Sequence, residues 1–213
     1  MSVAWYQTIT PWSAGSPATS GSFTAVAGDA LLVFCMDNAA GSRTITFSGT
    51  GTYSRLDSWN DSVADTEAIG ANSSASSGSQ TMTVAATSGD GMWGWAYEYS
   101  GVASISGTIN EADSPGTGTG AITGTSVTVP SGGILIALCV NVSGGSDAIT
   151  SPSGTNRGSG ANAGYTYCAT EYAGTGGAIQ PSFTSANGSD EDFVIMQFTL
   201  SPAGGGVAVA WWT

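Results

Sequence analysis

The chain has 213 residues, three cationic and fifteen anionic side chains, no histidine and a net charge of −12. A phosphate-binding or anionic-membrane partner needs a basic footprint that this balance excludes. Only 8 % of the residues are charged, against a usual ~25 %, and the 41 % apolar share is enough to fill the core of one large β domain.

In chain order the sequence reads as strands and turns, with no apolar helical periodicity sustained over ten residues. The first 21 residues hold Trp5, Tyr6 and Trp12 and are read as an N-terminal arm. They show no basic n-region followed by an apolar h-region, so no Sec signal peptide is expected. Residues 22–26 lead through Gly28-Asp29 into the apolar run 30–36, and 43–47 alternates before the turn Ser48-Gly49-Thr50-Gly51. Strands are expected at 53–59, 64–71 and 80–86, and the aromatic strand 92–100 closes the series.

The second half repeats the first. Strands are expected at 126–129, 134–140, 148–150, 165–172, 179–184 and 193–200. Cys35 and Ile45 precede Cys139 and Ile149 by 104 positions, and Gln80 precedes Gln180 by 100. Trp93, Trp95, Tyr97 and Tyr99 precede Val194, Met196, Phe198 and Leu200 by 101. Loops of unequal length produce such drift, so we read an internal duplication with copies at 22–101 and 123–201. The expected fold is all-β: an antiparallel, jelly-roll-like sandwich spanning 22–203, in which the two open halves bury their apolar faces against each other. Residues 204–213 are read as a C-terminal arm, Gly204-Gly205-Gly206 followed by VAVAWWT, with Trp211 and Trp212 near its end.

Without histidine there is no Ser-His-Asp triad, no Cys-His pair and no histidine metal ligand; without lysine there is no Schiff base and no P-loop lysine. Carboxylate chemistry of the glycosidase kind remains, with Glu67, Glu98, Glu111, Glu171 and Glu191 as the available acids. Any acidic chain offers such residues, so no catalytic residue is assigned and no enzyme is expected. Trp93, Trp95, Tyr97 and Tyr99 share one strand face, which suits either a sugar-stacking platform or a core. The core-type residues at the equivalent positions, Val194, Met196, Phe198 and Leu200, favour core, with Glu98 on the opposite, wetter face. Acidic turns at 57–61, 65–67, 111–113 and 190–192 are read as solvated rather than as Ca²⁺ sites. Cys35, Cys139 and Cys168 lie in apolar or aromatic runs, are odd in number and lack CxxC spacing, so three buried free thiols are expected. No cofactor and no metal is expected.

The string Val26-Ala27-Gly28-Asp29-Ala30-Leu31-Leu32-Val33 resembles the opening of phage and bacterial surface β-sandwiches. Trp95-Ala96-Tyr97-Glu98-Tyr99-Ser100-Gly101-Val102 resembles their "EYSG" strand, and residues 193–203 are similar to their closing strand. The resemblance covers about residues 22–203. It implies a jelly-roll-like module of a virion or cell surface and carries over no catalytic residue. The expected function is a structural protein on the exterior of a tailed-phage particle, either capsid decoration (cement) or tail- and fibre-associated. Such a protein is made in the host cytoplasm and works in the virion. A non-catalytic carbohydrate-binding module is the alternative. Expected partners are other virion proteins, its own subunits in a homo-oligomer, and surface glycans, through Trp5, Tyr6, Trp12, Trp211 and Trp212, with no nucleic acid and no membrane.

Overall fold

The computed structural model describes residues 1–38, 43–60, 66–87, 91–113, 121–142, 147–162, 164–186 and 192–203. Trp211 and Trp212, with the rest of the C-terminal arm, lie outside the described residues. So do Asp61, Asp65, Asp190 and Glu191 of the acidic turns.

The first half contains β1 (Ala4–Gly15), β2 (Ala18–Thr19), β3 (Phe23–Ala25), β4 (Ala30–Asn38), β5 (Ile45–Gly49), β6 (Ser54–Asn60), β7 (Thr66–Asn72), β8 (Gly78–Gln80), β9 (Met82–Ala86) and β10 (Gly91–Ser100). The second contains β11 (Val102–Asp113), β12 (Ala121–Thr123), β13 (Val127–Thr128), β14 (Ile134–Asn141), β15 (Ile149–Thr150), β16 (Thr155–Asn162), β17 (Tyr165–Ala173), β18 (Ala178–Ile179), β19 (Ser182–Ser185) and β20 (Asp192–Pro202).

Within the first half the pairing nests: β1 with β10, β2 with β9, β3 with β8 and β4 with β7, all antiparallel. Nested pairing of this kind is the wrap of a jelly roll. The second half nests identically, β11 with β20, β12 with β19, β13 with β18 and β14 with β17. The main sheets, β1-β10-β4-β7-β6 and β11-β20-β14-β17-β16, have five strands each and the same order.

The duplication is therefore wider than its sequence trace. It begins with β1, which matches β11, so most of the segment read as an arm at 1–21 is the edge strand of the first main sheet. The sandwich is also doubled. Each half has its own core between its main sheet and its short outer strands, around Val33, Cys35, Ile45 and Val84 in one half and Ala137, Cys139, Ile149 and Phe183 in the other. The two main sheets then pack face to face over a third core, which joins Phe34, Trp95 and Tyr97 to Leu138, Met196 and Phe198. A sheet covered on both faces reads as a continuous apolar run rather than an alternating one. For that reason β4 and β14, ALLVFCMDN and ILIALCVN, bury all but one of their residues.

The aromatic row belongs to the central core. Trp95, Tyr97 and Tyr99 are at most 1 % exposed. Phe34 meets Tyr97 and Phe198 edge-on, with ring centroids 5.9 and 4.8 Å away. Trp93 packs on Tyr165 and Trp95 on Tyr167, across the two halves. Such tilted contacts suit the ring quadrupoles and add to plain burial. Cys35, Cys139 and Cys168 are buried free thiols.

Candidate functional site

The carboxylates of Glu98 and Glu171 are tied into the fold. Glu98 faces away from the aromatic row, but its environment is not wetter, since it is fully buried. Its Oε1 accepts the backbone N–H of Val26 at 2.7 Å, and its Oε2 accepts the Gln7 side-chain amide. Burial raises the carboxyl pKa of Asp29, and the Glu98 charge adds to that. Among the described residues no group of three or more His, Cys, Asp or Glu side chains has a metal-holding arrangement.

The sequence-derived partner residues separate. Trp12 is buried beneath the outer strands of the first half and does not face a partner. It was read as exposed because its alternation within an apparent arm gave no sign of the strands that cover it. Tyr6 sits at a register slip of β1 and is half exposed. Trp5 is 39 % exposed and lies opposite Tyr99, on the side of β1 that faces the second half.

There Trp5 meets residues from far along the chain. The guanidinium carbon of Arg157, on β16, lies 4.5 Å from the Trp5 ring centroid, a cation–π distance. Arg157 donates from Nε and Nη2 to the two carboxylate oxygens of Glu171, on β17, at 2.8 and 2.9 Å. This is the two-pronged geometry that a planar guanidinium forms with a carboxylate. The Tyr99 hydroxyl donates to Glu171 Oε2 at 3.0 Å, and the Thr8 hydroxyl donates to the Arg157 carbonyl at 3.0 Å. These bonds to Glu171 hold Arg157 protonated beyond its usual range. Burial, reinforced by Glu171, pushes the Tyr99 hydroxyl well above the ordinary phenol value.

Trp5, Arg157 and Glu171 line an open cleft of ≈ 410 Å³, completed by the apolar Val3 and Ile134 and by small residues such as Ser2, Gly132, Gly133 and Gly174. A second cleft of ≈ 530 Å³ is lined by Leu56, Ala71 and Ile105 with a rim of serines and Asn72. Glu98 and Glu171 were visible in the sequence as isolated acids. Arg157 stands in the sequence only as one of three cations, and nothing local links positions 5, 99, 157 and 171.

Compared with known proteins, the chain matches no protein-family model, no curated protein and no solved structure.

Proposed function

We propose that the protein is a non-catalytic structural component of the exterior of a tailed-phage particle, serving as a capsid decoration protein or as a tail- or fibre-associated one. The observation that carries this is the exposed pair Trp5 and Tyr6 on β1, an edge strand of a doubled jelly roll with three apolar cores. Jelly rolls recur as capsid and lectin domains. A stiff block with an aromatic edge suits docking on another protein: a free strand edge offers backbone hydrogen bonds and large aromatics supply anchors. Glu98 and Glu171 support the non-catalytic part, because groups of the chain itself engage both oxygens of each. The remaining partners are virion proteins and further copies of the chain.

The test is to add purified protein to purified phage particles that lack it and to sediment the particles. The protein should travel with them at a fixed stoichiometry, and Tyr6→Ser should weaken the association. Protein that stays in the supernatant with every particle preparation, or that hydrolyses glycosidic bonds in solution, refutes this function.

A further inference from the structure

The two clefts are the same place seen twice. In β6 the ladder to β7 slips between Arg55 and Asp57, leaving Leu56 out of register; in β16 the ladder to β17 slips between Asn156 and Gly158, leaving Arg157 out. Leu56 and Arg157 are therefore equivalent bulge residues. Ala71 pairs with Leu32 and Ser54, as Glu171 pairs with Ile136 and Thr155. Tyr99 pairs with Ala30 and Trp5, as Leu200 pairs with Ile134 and Ile105. The set Trp5, Tyr99, Arg157 and Glu171 thus corresponds position by position to Ile105, Leu200, Leu56 and Ala71. In each set the two halves contribute two residues apiece.

The fold closes this corner with four apolar residues in one copy, so it does not require an ion pair in the other. Ion pairs removed from water are poor sources of stability, and apolar replacements of similar volume often stabilise as well or better. Arg157 and Glu171 have side chains only 20 % and 11 % exposed, so both carry a desolvation cost. One copy of the position is a cleft with an apolar floor and a serine rim, and the other combines an exposed indole, a guanidinium, a carboxylate and three glycines.

The geometry points to the Trp5–Arg157–Glu171 cleft as a binding site for one hexose-sized unit of a glycan. Its volume of ≈ 410 Å³ lies within the usual ligand-pocket range of about 300–1,000 Å³. One face of the Trp5 indole lies under the Arg157 guanidinium; the exposed remainder of the ring offers an apolar surface for the C–H face of a pyranose. Arg157 commits Nε and Nη2 to Glu171, and the Gly132, Gly133 and Gly174 carbonyls already accept the N–H groups of Val3, Gly174 and Gly132. The second lone pairs of these oxygens and of the Glu171 carboxylate are what the cleft offers to ring hydroxyls. The carboxylate neutralises the guanidinium at contact, so a neutral polyol fits better than a free anion. This assignment does not rest on attachment to a phage particle: the chain could bind sugar without decorating particles, or decorate them without binding sugar.

The test is tryptophan fluorescence and calorimetric titration of the full chain with glucose, galactose, mannose, N-acetylglucosamine and short oligosaccharides of each. At least one should bind saturably. Trp5→Ile should weaken it at least about tenfold, equivalent to about 1.4 kcal/mol. The triple exchange Trp5→Ile, Arg157→Leu, Glu171→Ala installs the residues of the other cleft; it should keep the β-sheet circular dichroism spectrum and abolish binding. Three outcomes overturn the assignment: no saturable binding across the panel, binding that survives the triple exchange, or a triple variant that unfolds, which would make the cluster structural. Loss of particle attachment in Tyr6→Ser with sugar binding intact would leave the assignment standing.

Discussion

The indole of Trp12 occupies the space that a side chain at Gly94 would fill: a methyl group on the Gly94 α-carbon would overlap the six-membered part of the ring. The two residues are partners across β1 and β10. Elsewhere in a strand, Gly→Ala stabilises by about 0.4–1 kcal/mol through the unfolded chain. Here overpacking opposes that gain and wins. Gly94→Ala should destabilise by about 1–3 kcal/mol in urea denaturation. Combined with Trp12→Ala, which removes the ring, the same substitution should cost little or nothing further. Additive losses in the double variant would show that the contact does not set the cost.

Among the described residues no strand ladder crosses between the halves. What joins them is the central apolar core, together with a few side-chain and backbone bonds such as Val3 N–H to Gly132 C=O at 2.8 Å and Ile109 N–H to Asp57 Oδ2 at 3.0 Å. Each half therefore completes its own strand ladders yet leaves a wide apolar face open when alone, which soluble monomers rarely tolerate. Chains cut between Ser100 and Gly101 and expressed together should co-elute as a one-to-one complex. Each fragment expressed alone should aggregate or self-pair. A soluble monomeric half on light scattering would contradict a shared core.

Alkaline pH should destabilise the protein in a defined window. Burial pushes the Cys35 and Cys139 thiols well above their ordinary 9.0, and Cys168 up as well. Burial likewise raises the hydroxyls of Tyr97 and Tyr99, and lifts Tyr53 to about 12. The unfolded chain releases these protons above its ordinary values while the folded chain keeps them. The unfolded state then binds fewer protons, so stability falls as pH rises. Below pH 9 these groups are neutral in both states and contribute no slope. From about pH 9 the thiols, and from about pH 10 the tyrosines, should each add up to about 1.4 kcal/mol of loss per pH unit. Urea midpoints that stay flat from pH 8 to 11 would contradict the burial of these groups. The native thiols should also resist alkylation at neutral pH and react in full once unfolded.

The offsets legible in the sequence, 104 for Cys35 to Cys139 and 101 for Trp95 to Met196, are those of the strand registers. Central strands announce themselves because both faces are covered and almost every residue must be apolar. Edge strands do not. β1, AWYQTITPWSAG, and β11, VASISGTINEAD, share position but hardly any side chains, because one face is open and different contacts cover the other. The match that would have extended the repeat to Ala4 was therefore invisible. The cleft was hidden for a related reason: Trp5, Tyr99, Arg157 and Glu171 meet only because the two halves pack face to face, and no local spacing encodes that.

The last prediction concerns residues 204–213, GGGVAVAWWT. Pairing of β11 with β20 runs from Asp113–Asp192 to Val102–Pro202, and Ala203 N–H bonds to Gly101 C=O at 2.9 Å. The segment beyond is apolar, rich in β-formers and carries two tryptophans, a composition suited to adding a strand to a sheet edge. β1 lies at the end of its sheet and presents such an edge. Removing 204–213 should leave the β-sheet spectrum and the urea midpoint of the full chain unchanged. It should also lower the assembly state in light scattering, or weaken sedimentation with phage particles, because an apolar segment suited to adding a strand to a neighbouring edge is gone. A truncated chain that assembles and binds as well as the full one would place the contact surface elsewhere, on Tyr6 and the loops beside it.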